Sequence, residues 1–386
     1  MILRLSVDLS KRTLGLSSRQ FSFLPGRYLQ SDATVKSRKP PRKPPLAFVF
    51  DIDGVLIRGK DALPSARRAL AILEGNNPFG MKLPYILLTN GGGVSEEAQC
   101  QKLTAKLGVE ISPKQYVQAH TLLKTLSHKY ADKPVLVLGG RLDDVRQVAI
   151  DYGFKRAYTS LDILTWNHSV WPFHQRTNDE VIATKNVDFS KTRISAVLVF
   201  HDPRNWGLDI QIICDLIQSE GLIGGPYVPL DRQKHPIDLI FCNPDLIWRS
   251  DFNAPRLGQG AFKEAFQAVF KALTGSEKYP YVQFGKPSRA TYDYAKDVLN
   301  GHLRDMMGHA IPLPPVQILN IACVIKLLPD IAGANAASWN SVLVKTGVYN
   351  GGVPAHRPTH IAEDVEEAVS WAIAREAAVG NLDASL

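Results

Sequence analysis

The sequence predicts an α/β chain built on a parallel sheet, and three observations predict it. Leu46 to Leu56 is an apolar run that breaks on Asp51-x-Asp53-Gly54, the pattern of a short strand buried on both faces. Pro84-Tyr-Ile-Leu-Leu-Thr89-Asn90 repeats that pattern and runs into Gly91-Gly92-Gly93. From there strand-like and helix-like segments alternate along the chain.

The first run carries the most chemistry. D-x-D spacing at a strand end puts both side chains on one side, so Asp51 and Asp53 converge on one small volume. Gly54 lets the chain turn away and its backbone approach a ligand. Ligands of open α/β sheets bind beyond the carboxyl ends of such strands. Two acids there can hold a hard cation and divide nucleophilic and acid–base work between them. The plain alternative is two solvated loop carboxylates after an ordinary strand.

The remaining elements follow in order. Leu63 to Leu73 has helical spacing, and Ser95 starts a further helix whose Glu96 and Glu97 suit its positive end. Helix is predicted over 120–130, strand over Val135 to Leu138 before Gly139-Gly140, and helix over 142–151. Strand Ile194 to Phe200, helix 208–219, strand Ile237 to Cys242 and helix 261–273 come next. Residues 168–190 and 224–236 read as loops. Tyr281-Val-Gln-Phe-Gly285-Lys286-Pro287-Ser288 is a strand, a glycine, a lysine and a helix start. Lysine there suits a phosphate, and the helix adds its own positive end; the alternative is a surface turn lysine. A strand over Ser341 to Thr346 and a helix over 363–375 close the chain.

Composition narrows the class. The chain has 386 residues, 45 % hydrophobic and 21 % charged, enough for two domains. No apolar run approaches the roughly 18 residues of a membrane-spanning helix. Residues 1–43 hold ten Lys or Arg against Asp8 and Asp32, which accounts for the whole net charge of +8. The other 343 residues balance 35 basic against 35 acidic groups, so no nucleic-acid surface is expected. The Arg- and Ser-rich, acid-poor leader fits a mitochondrial transit peptide; a disordered basic arm or a misassigned start are the alternatives. Lys39-Pro-Pro-Arg-Lys-Pro-Pro45 ends it as an extended linker. Cys100, Cys214, Cys242 and Cys323 lie far apart without a C-x-x-C pair, and are read as free thiols. The ten histidines lack the spacing of a zinc helix. Gly258-Gln-Gly260 lacks a third glycine at Lys263 and reads as a helix entry rather than a dinucleotide site. Trp166, His168, Trp171 and His174 form an aromatic group that either lines a pocket or plugs the fold.

Asp51-x-Asp53-Gly54, Thr89-Asn90-Gly91 and Gly285-Lys286-Pro287, each at a strand end and in that order, resemble the haloacid dehalogenase superfamily of phosphotransferases. Roughly 190 residues separate Asn90 from Lys286, room for an inserted α/β cap, which is similar to the class IIA branch with its C2-type cap. Asp238-Leu-Ile-Phe-Cys-Asn243-Pro244-Asp245 and Gly258-x-Gly260 resemble that branch. Thr-Asn-Gly-Gly-Gly at 89–93 and Ala-Gly-Ala-Asn-Ala-Ala-Ser-Trp at 332–339 resemble its mitochondrial cat-eye-syndrome-critical-region-type members.

The resemblance implies a Rossmannoid core over 46–122 and 282–386, a C2-type cap over 123–281, and a leader and linker over 1–45. It implies Asp51 as nucleophile, Asp53 as acid and base, and Thr89 with neighbouring N–H groups around Asn90 and Gly91 as holders of the phosphoryl oxygens. Lys286 would offset charge. Asn243 and Asp245 would serve substrate selection or cap closure. Mg²⁺ would bridge phosphate, Asp51 and the Asp53 carbonyl, with Asp330 nearby. The substrate would be a small phosphorylated metabolite of the mitochondrial matrix, with a faint link to glycerophospholipid metabolism, and a homodimer is allowed.

One departure stands out. The family's fourth motif ends a strand on Gly-Asp, with a second acid five residues after the first. Asp330 fits the second acid, which puts Ile325 where the first carboxylate belongs and Val324 where the glycine belongs. Isoleucine cannot ligate Mg²⁺. Either the sequence over 317–329 carries a gene-prediction error, or the chain has diverged into a binding or regulatory protein that does not turn substrate over efficiently.

Overall fold

Eleven strands form two parallel sheets in the computed structural model, which describes residues 46–248, 252–307, 317–323, 329–347 and 352–382. The first sheet has six strands in the order His360–Ala362, Asn340–Val344, Gln317–Cys323, Leu46–Phe50, Tyr85–Leu88, Tyr116–Val117. The second has five, in the order Val282–Gln283, Asp238–Phe241, Ala196–Val199, Val135–Leu138, Ala157–Tyr158. The second sheet takes in Val282 and Gln283, which pair with Ile240 and Phe241. The 1–45 leader, Val324 and Ile325 lie outside the described residues.

The central strand shows why its run is apolar throughout. Ala47 and Val49 point into one apolar cluster, Phe48 and Phe50 into another, and the four are fully buried. It pairs in parallel with Gln317–Cys323 on one side and Tyr85–Leu88 on the other. The chain leaves this strand in one direction and returns in the other, so the strand order reverses at Leu46–Phe50, and its carboxyl end opens on a crevice. Asp51 follows at once, its N–H donating to Ile321 O at 3.1 Å.

Ala47, Val49, Leu88 and Val117 of the first sheet share their cluster with Val135, Val137, Phe200, Ile240 and Cys242 of the second. The two sheets are thus joined through an apolar contact. Among the described residues no helix is long and apolar enough to cross a membrane. Cys100, Cys214 and Cys242 are buried free thiols.

Helices Pro64–Leu73, Glu96–Leu107, Asp144–Asp151, Trp206–Gln218 and Gln259–Thr274 match their expected positions to within a few residues. Ser95 caps the second of these by accepting the Ala98 N–H. The helix expected over 120–130 is instead a 3₁₀ turn, Ala119–Leu126, followed by Ser127–Tyr130. Thr125 and Ser127 hydroxyls donate to carbonyls three residues back, which favours the tighter winding. The expected loop 168–190 contains a short helix, Asn178–Ile182, capped reciprocally by Thr177 and Glu180. That T-x-x-E spacing was the available signal. Trp166 packs on Phe189 and Trp171 against Gly207, so the two tryptophans fill the flank of the second sheet, while His168 is exposed and His174 lines a cavity with Arg204 and Asn205.

Candidate active site

Three strand ends and one helix start meet at the crevice. Lys286 is the centre: its side chain is 2 % exposed, and Nζ lies 2.7 Å from Asp51 Oδ1, 2.7 Å from Asp330 Oδ1 and 3.1 Å from Leu88 O. Burial lowers the ammonium's pKa, but Asp330 and Asp51 raise it further than burial lowers it, so the proton stays on. Asp330 is held above the ordinary carboxylate range, near 7, by burial, with Lys286 opposing.

Asn90 fixes the lysine's backbone from the other side. Its Oδ1 accepts Lys286 N–H at 2.7 Å, while its Nδ2 donates to Lys286 O at 3.2 Å and to Asp245 Oδ1 at 3.1 Å. One amide thereby joins the Thr89-Asn90 strand end, the lysine step and the turn after Asp238–Phe241. Thr89 is buried, and its Oγ1 accepts the Gly91 N–H at 2.9 Å, which leaves the hydroxyl hydrogen to give to a ligand. Gly91 faces Asp53: a Cβ there would sit 3.9 Å from Asp53 Oδ2.

Asp53 is reached by solvent yet walled by protein on most sides. That surrounding, together with the Asp51 carboxylate, pushes its carboxyl up to about 6, with Lys286 pulling the other way. Burial likewise lifts Asp245 to about 6. Asn243 spends its Oδ1 on the Asp245 N–H at 2.7 Å, so it shapes the turn that presents Asp245.

Backbone donors complete the crevice. The N–H groups of Ile52, Asp53 and Asn90 make no hydrogen bond among the described residues. Unpaired amides at a strand end form an anion cradle. Among the described residues the Asp53 carbonyl accepts none either, and Asp51 is engaged through Oδ1 alone. Two oxygen donors of the kind a hard cation takes are therefore available side by side, while Asp330 is occupied by Lys286. No group of three or more His, Cys, Asp or Glu is placed to hold a metal among the described residues.

Several supporting residues carried no sequence signal. Gln259, fully buried, accepts the N–H groups of Cys242 and Asn243, both at 2.8 Å, and so holds the Asn243–Asp245 turn. Asn320 Nδ2 and Tyr292 Oη donate to the Asp330 carbonyl. Gly258 and Gly260 serve close approach: a Cβ on Gly260 would lie 2.2 Å from Pro244 O. Gly285 is stricter still, with φ +87° and a virtual Cβ 2.4 Å from Cys242 O. We expect Gly285→Ala to cost about 1–3 kcal/mol in urea unfolding and to lower activity more than stability accounts for, because it moves Lys286.

Known proteins resemble this chain in sequence and fold. A family model described as haloacid dehalogenase-like hydrolase matches residues 48–155, and one described as HAD-hydrolase-like matches 283–368. The chain is 38 % identical over 342 residues to a mitochondrial hydrolase of Saccharomyces cerevisiae, covering 84 % of this chain and 94 % of that protein. It is 36 % identical over 381 residues to a cardiolipin synthase (CMP-forming)/mitochondrial hydrolase fusion protein of Schizosaccharomyces pombe, covering 97 % of this chain but 60 % of the fusion. In fold it is similar to the crystal structure of 4-nitrophenylphosphatase from Thermotoga maritima, with a TM-score of 0.54, 16 % identity, and 84 % and 97 % of the two chains covered.

Proposed function

The chain belongs to the haloacid dehalogenase-like hydrolases, and from that premise we propose that it hydrolyses a small phosphate monoester through an aspartyl-phosphate on Asp51. The observation that carries this reading is Lys286, buried and fully charged, seated against Asp51 beside unpaired backbone N–H groups. A carboxylate is a weak nucleophile toward a dianion. A fixed ammonium beside it offsets the charge that gathers as the two approach.

In the first step an Asp51 carboxylate oxygen bonds to phosphorus as the ester oxygen leaves, and Asp53 gives that oxygen its proton. In the second, Asp53 takes a proton from water, the water oxygen bonds to phosphorus, and the acyl-phosphate bond breaks. Alcohol and inorganic phosphate leave, with both carboxyls restored. Thr89 Oγ1 and the N–H groups of Ile52, Asp53 and Asn90 hold the phosphoryl oxygens through both steps.

Mg²⁺ is the cation we assign to the Asp51 carboxylate and the Asp53 carbonyl, and when bound it offsets phosphoryl charge. Asp330, paired with Lys286, would add negative charge beside that site. The second sheet serves as cap, with Asp245 facing the leaving group and the apolar contact between sheets excluding bulk water. A mitochondrial setting is supported by the names of the yeast relatives, and the synthase half of the fusion protein supports a place in glycerophospholipid metabolism.

The pKa of Asp53 gives a pH prediction. It is raised, so the protonated acid is present below about 6 and is lost above it. With an alkyl phosphate, kcat/KM should fall as pH rises through about 6. With p-nitrophenyl phosphate, whose leaving group needs no proton, the fall should flatten, and Asp53→Asn should remove it for both. A profile equally steep for both substrates would move the acid role elsewhere.

The direct test is phosphate release from a panel of monoesters during Mg²⁺ titration. Saturable, metal-dependent release is expected. Binding without release is the outcome favoured by Ile325, and it would leave a hydrolase scaffold that only recognises its ligand.

A further inference from the structure

Two imidazoles press on the glycine turn that follows Thr89-Asn90. A Cβ on Gly92 would lie 2.7 Å from His120 Cδ2, and one on Gly93, with φ +102°, 2.5 Å from His201 Cδ2. Packing alone explains why residues 92 and 93 are glycines. The hydrogen bonds of His120 go further.

His120 is fully buried, and its Nε2 accepts the Gly93 N–H at 3.1 Å. That bond settles the tautomer: Nε2 carries no proton, so Nδ1–H donates to Tyr152 Oη at 2.9 Å. Tyr152 O–H in turn donates to Glu96 Oε1 at 2.5 Å. Glu96 also accepts from Thr121 Oγ1 at 2.9 Å and pairs with Lys124 at 3.0 Å. Every donor in this relay meets an acceptor, and a doubly protonated imidazole would set N–H against N–H at Gly93. Burial agrees with the geometry, driving His120 down to about 3.

The same short segment holds the turn at other points. Ala119 N–H donates to Gly91 O at 3.1 Å, and Gln118 Nε2 to Val94 O at 2.8 Å. The turn is thus tied at residues 91, 93 and 94 from one side, while Gly91 N–H reaches back to Thr89 Oγ1. Asn90 N–H and Gly92 N–H are left without a partner among the described residues.

We propose that His120 is a positioning residue for phosphoryl transfer: its unprotonated Nε2 sets the Gly91–Gly93 turn and with it the unpaired N–H groups beside Thr89. The inference rests on the hydrolase reading above. It adds a residue that touches neither phosphate nor metal, placed where the first sheet meets Tyr152 at the end of Asp144–Asp151. Donors aimed at developing charge lose most of their effect when displaced by a fraction of an ångström, and the loss is larger in the transition state than in the ground state.

The test compares vanadate, a mimic of the pentavalent state, with inorganic phosphate as inhibitors of His120→Phe, His120→Gln and the wild-type chain. His120→Phe keeps a ring but loses the acceptor. It should lower kcat/KM about 100-fold and weaken vanadate inhibition in proportion, while phosphate inhibition shifts by less than about threefold. His120→Gln offers an amide oxygen and should recover most of the loss. Leu299→Ala, a cavity in the same apolar cluster, should lower the melting temperature without changing vanadate affinity. Should His120→Phe fail to fold, Tyr152→Phe interrupts the relay and should weaken vanadate about tenfold. Vanadate affinity unchanged in the histidine or tyrosine variant, or lowered equally by Leu299→Ala, overturns the positioning role alone. A wild-type chain that neither releases phosphate nor binds vanadate overturns the hydrolase reading and this inference with it.

Discussion

Asp51→Asn is expected to abolish phosphate release, with a fall of at least about 10³-fold against any monoester the wild-type chain accepts. A carboxamide oxygen cannot form the acyl-phosphate, and the intermediate is the step that splits one difficult displacement into two. The fold should not suffer. Asparagine is nearly the same size, and its Oδ1 can still accept from Lys286 Nζ, now 2.7 Å from the Asp51 carboxylate. It also removes one charge from a crevice where Asp51 raises the carboxyls of Asp53, Asp245 and Asp330. Lys286 keeps Asp330 as its charged partner, so the variant should stay folded while being inactive. Phosphate release and thermal melts read both quantities on one preparation, and acid quenching of wild type with labelled substrate should leave label on Asp51. A near-normal rate would remove the nucleophile assignment. Lost activity with a collapsed fold would show that the carboxylate is structural.

The parts of this site that the sequence exposes are those where chemistry and backbone geometry coincide. Asp51 and Thr89 each follow an apolar run that reads as a buried strand, whereas the run before Lys286 is short and partly exposed, so the lysine rests on its Gly-Lys-Pro step and on its order after the other two. The structure brings all three to one crevice because the strand order reverses there, which no local window encodes. What stayed hidden depends on partners distant in the chain. Gln259 supports Asn243 across 16 residues, Asn90 grips Lys286 across 196, and His120 meets Tyr152 across 32. Each would look like an ordinary polar residue in its own neighbourhood. The 3₁₀ winding of Ala119–Leu126 is hidden for a related reason: the periodicity of the segment is helical, and the tighter turn goes with side-chain bonds of Thr121, Thr125 and Ser127 to the backbone.

Lys286→Met should show the second large effect, and here stability and activity fall together. Methionine keeps most of the aliphatic stem, so packing is largely preserved and the loss isolates the charge. The ammonium removed is the counter-charge to two buried carboxylates, and breaking a buried pair from one side costs about 3–5 kcal/mol. The cost should depend on pH in a defined direction. Asp330 is already held near 7 by burial, with Lys286 opposing, so without the lysine its carboxyl rises further. A folded-state pKa above the unfolded value means that the unfolded chain ionises first. The stability gap to wild type should therefore be smallest below about pH 6, where folded Asp330 is protonated in both proteins, and widen as pH rises through 7. Urea midpoints at pH 5 and pH 8 measure it. Adding Asp330→Asn to Lys286→Met removes one of the two orphaned charges and should recover part of the stability at pH 8, but no phosphate release, because nothing then offsets Asp51 against an incoming phosphate dianion. If Lys286→Met unfolds like wild type at pH 8, the ion-pair account of the crevice is wrong; if the double variant turns over substrate, charge compensation by Lys286 is not what drives the first step.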